Sequence, residues 1–242
     1  MTPLENLALV LFLCAALSFL SFKLRLLTAS GSLASFILGA VVGVFGSIGW
    51  LLLLIAFTLV GFLVTRFKMD IKMQRGLQEG RRGERTWKNV AANGLVPALV
   101  AIVSWLASVN GTVEAGLVYL TSISVAASDT IASELGVLSG KARLITTLEP
   151  VQAGVDGGVS VFGTFWALMG ALFSTALGWA ILFPGSWPDG RVLVPAILGF
   201  VGCNIDSLIG ATLERGGMVS KLGTNLLSMA AATLLAFAIL CL

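Results

Sequence analysis

Two aspartates interrupt apolar runs in which a neutral residue would insert more easily: Asp129 in "SVAASDTIASELG" and Asp206 in "GFVGCNIDSLIG". A charge at the centre of a membrane helix costs on the order of 3 kcal/mol on insertion scales, and it persists where it lines a cavity or meets a partner. Ser122, Ala126, Asp129, Ser133 and Gly136 recur at spacings of four and three, as do Gly199, Gly202, Asp206 and Gly210. Each set makes a small and polar stripe along one helix face. Two acids on such stripes at one depth point to a divalent cation, with Mg2+ as the expected cofactor and Asp129 and Asp206 as its ligands, because the ion offsets their mutual repulsion. The plainer alternative is that each acid hydrogen-bonds a neighbouring helix.

Between the two lies "GVLSGKARLITTLEPVQAGVDGGVS", residues 136–160, with Lys141, Arg143, Thr146 and Thr147, then Gly154, Asp156, Gly157 and Gly158 just before another apolar run. Glycines there let backbone N–H groups approach an anion, and the helix that follows favours negative charge at its start. Phosphate fits this better than a neutral ligand; a flexible hairpin with glycine turns is the competing reading. It is not a Walker loop: only three residues separate Gly136 from Gly140, and Ala142 follows Lys141. Histidine is absent, which removes every mechanism that needs an imidazole.

The stretch 66–88 holds eight basic and three acidic residues. One reading is a loop held by anionic headgroups. The sharper one is a phosphate-binding lid in which Arg81, Arg82 and Arg85 swing on Gly76, Gly80 and Gly83. Without interleaved aromatics the loop is no nucleic-acid site.

The elements that position these groups follow from composition. The 242 residues are 57% hydrophobic and 11% charged, with a mean hydropathy of +0.98. That describes an integral membrane protein, surrounded by membrane lipids. About eight apolar runs approach the roughly 20 residues needed to span the hydrocarbon: 4–22, 31–47, 49–67, 90–109, 115–133, 158–183, 192–213 and 223–242. The expected fold is all-α, a single polytopic helical transmembrane domain over residues 1–242. The first run lacks a basic leader and a small-residue cleavage site, so it is read as a retained helix. With an external amino terminus, 14 of the 15 Lys and Arg residues fall on the cytoplasmic side and only Arg191 lies outside, as the positive-inside rule requires. The polar and glycine-rich segments share that side, so the site is expected at the cytoplasmic face. Cys14, Cys203 and Cys241 lie in apolar runs and read as packing residues. Gly39 and Gly43 read as a helix-packing face.

The segments "RTWKNVAANG", "SDTIASELG", "RLITTLEPVQAGVDGGVS" and "NIDSLIGATLE" resemble, in order, four signature segments of the transmembrane protein 19 and phytyl-phosphate kinase family. The resemblance spans residues 81 to about 228. Ser128, Ile131, Pro150 and Asp156 depart from the family's usual residues. A more distant similarity is to CDP-diacylglycerol synthases: Asp129, Ala132, Gly136, Gly140 and Lys141 stand at their offsets 0, 3, 7, 11 and 12. The resemblance implies a nucleoside triphosphate, CTP above others, and a prenyl phosphate acceptor. It implies that Asp129, Asp206 and Lys141 are catalytic, with Arg85, Asn89, Asn93, Ser133, Glu134, Arg143, Thr146, Thr147, Lys221 and Asn225 around the phosphates. A homo-oligomer is compatible with it. Two rivals are a cytidylyltransferase acting on a lipid phosphate and an ion-coupled transporter, since paired intramembrane acids and glycine-interrupted helices also suit carriers.

Overall fold

The computed structural model describes residues 2–78 and 83–241. Among these, eight helices are long and apolar enough to cross a membrane, so the chain is an all-α polytopic membrane protein as expected. α1 (Pro3–Lys23) starts at a capping box in which Thr2 and Glu5 satisfy one another's backbone N–H groups. α2 (Ala29–Val41) is capped by Thr28 and runs into a π-helical turn, Val42–Gly46. α3 (Ile48–Arg66) follows at once, with Ser47 as its cap. Beyond it comes a short helix that the apolar pattern does not announce, α4 (Met69–Gln74).

α5 (Trp87–Leu106) opens on a second capping box, Thr86 with Asn89. α6 (Val113–Gly136) is capped by Thr112. A small antiparallel sheet, which neither reading of the glycine segment foresaw, then follows: β1 (Ala142–Leu144) lies between β2 (Pro150–Val151) and β3 (Gly158–Val159). α7 (Val161–Leu182) therefore begins three residues later than the apolar run, at its cap Ser160. α8 (Leu193–Ile209) continues as a π-helical turn, Gly210–Glu214, and α9 (Lys221–Cys241) ends the described chain.

α6 is the axis. It packs against α3, α5, α7, α8 and α9, and 89% of its best apolar window is buried, against 44% or less for every other span. Small residues bring the neighbours close. Gly170 of α7 sits against the Ser128 backbone, and Ser128 Oγ donates to Ala167 O at 2.8 Å, so Ser128 serves helix packing. Gly199 of α8 packs on Ser124, and Gly202 on Val125. Any side chain at these glycines would force the helices apart. Gly39 and Gly43 do the same for α1: a Cβ would lie 3.0 Å from Cys14 Sγ at the first and 2.6 Å from Val10 Cγ1 at the second. The core runs around α6, with Tyr119 stacked on Trp50 at 4.2 Å and donating to its carbonyl at 2.8 Å.

Candidate active site

The polar stripes of α6 and α8 meet at the end of the bundle where the basic segments gather. Asp129 and Asp206 line one cavity of about 370 Å3, within the size range of small-molecule sites. α9 supplies the side chains that hold them. Asn225 Nδ2 donates to Asp129 Oδ2 at 3.5 Å, and one turn on, Ser228 Oγ donates to Asp206 Oδ2 at 3.0 Å. The plain reading, in which each acid bonds a neighbouring helix, is thus present in part, and it is also what fixes the two carboxylates on one cavity wall.

The donor chemistry fits Mg2+. Besides the two carboxylates, Asn225 Oδ1 lines the same cavity, buried and without a hydrogen-bond partner. All are hard oxygens. Among the described residues no cluster of three or more His, Cys, Asp or Glu forms a closed cage. Mg2+ is commonly held by one or two carboxylates together with phosphate oxygens and water.

The glycine segment forms a strap across the cavity. Gly154, Asp156, Gly157 and Gly158 all line it. Gly157 has φ +73° and lies directly on the π-helical turn of α8: a Cβ there would overlap Ala211, and one at Gly210 would come within 2.9 Å of Gly157 N. This close approach of strap to helix is what demands glycine at 157. Asp156, at the strap's turn, lies 4.0 Å from Lys221 Nζ of α9.

On the opposite side stand Arg85, Asn89 and Asn93 from the entry to α5. Arg85 is not on a swinging lid. Its backbone bonds Leu26 O and Thr28 N, and Nη2 donates to Thr65 Oγ1 at 3.0 Å. Gly61 leaves room for its guanidinium, since a Cβ would lie 3.2 Å from Nη1. Of the other lid residues, Gly80, Arg81 and Arg82 lie outside the described residues. Asn89 Oδ1 accepts from Thr86 N and Oγ1 at 2.9 Å each, so that oxygen serves the capping box. Asn93 Nδ2 donates to Asn89 O, and its Oδ1 is buried without a hydrogen-bond partner.

Glu134, expected near phosphate, has another task. Its Oε2 accepts from the wholly buried Lys72 at 2.6 Å, its Oε1 from Thr65 at 2.7 Å, and Arg85 Nη2 lies 4.0 Å away. An acid so engaged repels phosphate and acts by anchoring cations. Ser133 lines the cavity near its mouth. Lys141, Arg143, Thr146 and Thr147 stand apart from the cavity on the exposed side of the sheet. For Arg143 alternation explains it: Ala142 faces the cavity, so the next residue of β1 faces away, and Arg143 Nη1 donates to Leu148 O at 2.7 Å.

Of the residues in and around the site that escaped the sequence reading, three bear on its charged groups. Ser228 follows Asn225 by one helical turn. Glu214 extends the α8 stripe at a further spacing of four, and it accepts from Thr224 at 2.9 Å. Helical spacing could have found both. Lys72 lies in a charged run with no periodicity, and nothing in the sequence marks it.

The model of the integral membrane protein family DUF92 matches residues 12–240. The chain belongs to that family. This agrees with the resemblance carried by the four signature segments. The family member is 35% identical to an uncharacterized membrane protein of Methanocaldococcus jannaschii, over 90% of this chain and 87% of that one. It is 30% identical to the protein VTE6, chloroplastic, of Arabidopsis thaliana, over 78% of this chain and 56% of the relative. Protein PGR of Arabidopsis thaliana is 27% identical, over 90% of this chain and 83% of the other. No solved structure matches the chain significantly.

Proposed function

We propose that this protein is a prenyl-phosphate kinase, which transfers the terminal phosphoryl group of a nucleoside triphosphate, CTP in the first instance, to a prenyl monophosphate such as phytyl or geranylgeranyl phosphate. The acceptor's phosphate oxygen bonds to the γ-phosphorus as the β–γ bond breaks, so the products are the prenyl diphosphate and the nucleoside diphosphate. The observation that carries the reading is the pair Asp129 and Asp206, held by one turn of α9 on the wall of a cavity that also contains Arg85, Lys221 and a glycine strap.

The acceptor phosphate oxygen is already an anion at neutral pH, so no general base is required, in keeping with a chain that has no histidine. Catalysis then reduces to positioning and charge neutralisation. When bound at Asp129, Asp206 and Asn225, Mg2+ would neutralise and orient the nucleotide phosphates. Lys221 at the rim and Arg85 across the cavity offer positive charge to the transferring group and the acceptor. The strap at Gly154 to Gly158 closes over the nucleotide, and its short φ-positive turns keep backbone close to the cavity. The distribution of basic residues supports a site on the cytoplasmic side.

The test is purified protein with Mg2+, phytyl phosphate and CTP labelled at the γ-phosphate, with products separated by chromatography. Label in the lipid supports the kinase. CDP-lipid with free pyrophosphate would make the protein a cytidylyltransferase. No turnover with any nucleotide would return the transporter to the front.

A further inference from the structure

A second, narrower cleft opens off the cavity between α2, α3 and α5. The two spaces share Arg85, Asn89 and Asn93. Beyond those residues the lining turns apolar, with Leu38 of α2 facing Leu54, Phe57 and Phe62 of α3. Ser35, Leu38, Leu54 and Thr58 along it are only half-buried, so the cleft reaches the outer, lipid-facing surface of the bundle. Its floor is tight: a Cβ on Gly94 would lie 2.7 Å from Leu38 Cδ1. A cation at the inner end of a narrow apolar slot matches a molecule with one anionic head and one hydrocarbon chain. The slot also starts at the basic end of the bundle and runs toward mid-membrane, the way a lipid in that leaflet lies.

We infer that this cleft is the tail subsite for the acceptor: the isoprenoid chain lies between α2, α3 and α5, its phosphate sits at Arg85, and the nucleotide occupies the larger cavity. The assignment rests on the proposed phosphoryl transfer for the nature of the acceptor. It adds where the chain runs and which side chains measure it. Leu38, Phe57 and Phe62 form the walls, and Ser35 and Thr58 stand where the chain passes into lipid. The cleft is small, about 50 Å3, so it would hold the first part of the chain and leave the rest to lipid.

The experiment uses the full chain in lipid nanodiscs and a geranylgeranyl phosphate analogue with a diazirine on its second isoprene unit, the part that would lie in the cleft. After photolysis, label is expected in peptides covering 35–38 and 54–62, competed by geranylgeranyl phosphate and not by phosphatidic acid. Label on α7 or α8, no label, or competition by phosphatidic acid would overturn the assignment. In a kinetic arm, Thr58→Phe, and Ser35→Phe from the opposite wall, should raise the KM for geranylgeranyl phosphate at least about tenfold, the scale on which apolar pockets discriminate. The KM for dimethylallyl phosphate, whose five-carbon chain fills far less of the cleft, should rise clearly less, by about threefold or under. Equal changes for the two acceptors, or none for either, would count against the cleft. The two readings fail separately: label in the cleft without phosphoryl transfer removes the kinase alone, and transfer with label elsewhere removes the cleft alone.

Discussion

Lys72 Nζ lies 2.6 Å from Glu134 Oε2, and Lys72 is wholly buried although it comes from the most highly charged stretch of the chain. The lysine also donates to Val64 O and Thr65 O, the carbonyls at the end of α3. One side chain thereby ties α4 to α3 and α6. Removing one partner of a buried pair leaves the other charge uncompensated, at about 3–5 kcal/mol. Lys72→Met should lower the unfolding temperature in detergent accordingly, and Lys72→Met with Glu134→Gln should recover part of the loss. An unfolding temperature unchanged in the single variant would contradict the buried pair.

Asp129→Asn and Asp206→Asn should each bring phosphoryl transfer below detection while leaving the protein folded, since shape is kept and the buried charge removed. Ser228→Ala acts one step away, by releasing Asp206. Loss of such an orienting partner should raise the Mg2+ concentration for half-maximal activity about 10- to 100-fold. Near-normal turnover of either aspartate variant at saturating Mg2+ would remove that acid from the site.

At Gly157 the effect should come through packing. Gly157→Ala meets Ala211 and requires an unfavourable positive φ. Overpacking of this kind costs about 1–3 kcal/mol. The strap should lift from α8, so that the KM for nucleotide rises and the unfolding temperature falls together. Gly76 also has positive φ, but nothing lies within 4 Å of its would-be Cβ; Gly76→Ala should leave nucleotide affinity alone, and a matched effect at both positions would argue that only backbone strain matters.

Arg85→Lys keeps the charge and loses the planar guanidinium, whose Nη2 donates to Thr65 and lies 4.0 Å from Glu134. Activity should fall at least about tenfold, the worth of a charged hydrogen bond, and equally at low and high salt. An electrostatic anchor would instead leave Arg85→Lys silent and make wild-type activity fall with ionic strength.

The membrane fold was legible because hydrocarbon enforces it: eight long apolar runs have no other stable arrangement. Asp129, Asp206 and Asn225, which line one cavity, stood out for the same reason, since polarity inside such a run is costly. Outside the hydrocarbon the constraint lapses. There the sequence reading set Lys141 and Arg143 beside the site, whereas both are exposed and outside the cavity lining, Arg143 on the outward side of β1 and Lys141 in the turn before it. It passed over Lys72, because a lysine among charged neighbours looks solvated until α4 folds it beneath α3. The strap shows the intermediate case. Its glycines were visible and an anion was the assigned reason, whereas contact with Gly210 and Ala211 accounts for Gly157 without one.

The central place of α6 has a consequence for how the chain is made. Its mean hydropathy of 1.3 is the lowest of the eight spans, and nearly all of its surface ends up against protein. Yet α7, α8 and α9, which cover its serines and Asp129, are synthesised after it. The helix that organises the finished bundle must therefore wait in the insertion machinery, or at its edge, without the partners that make its polarity tolerable. Variants that weaken α7 or α9 packing should then fail in biogenesis, as loss of protein from the membrane, before any loss of activity per molecule can be measured.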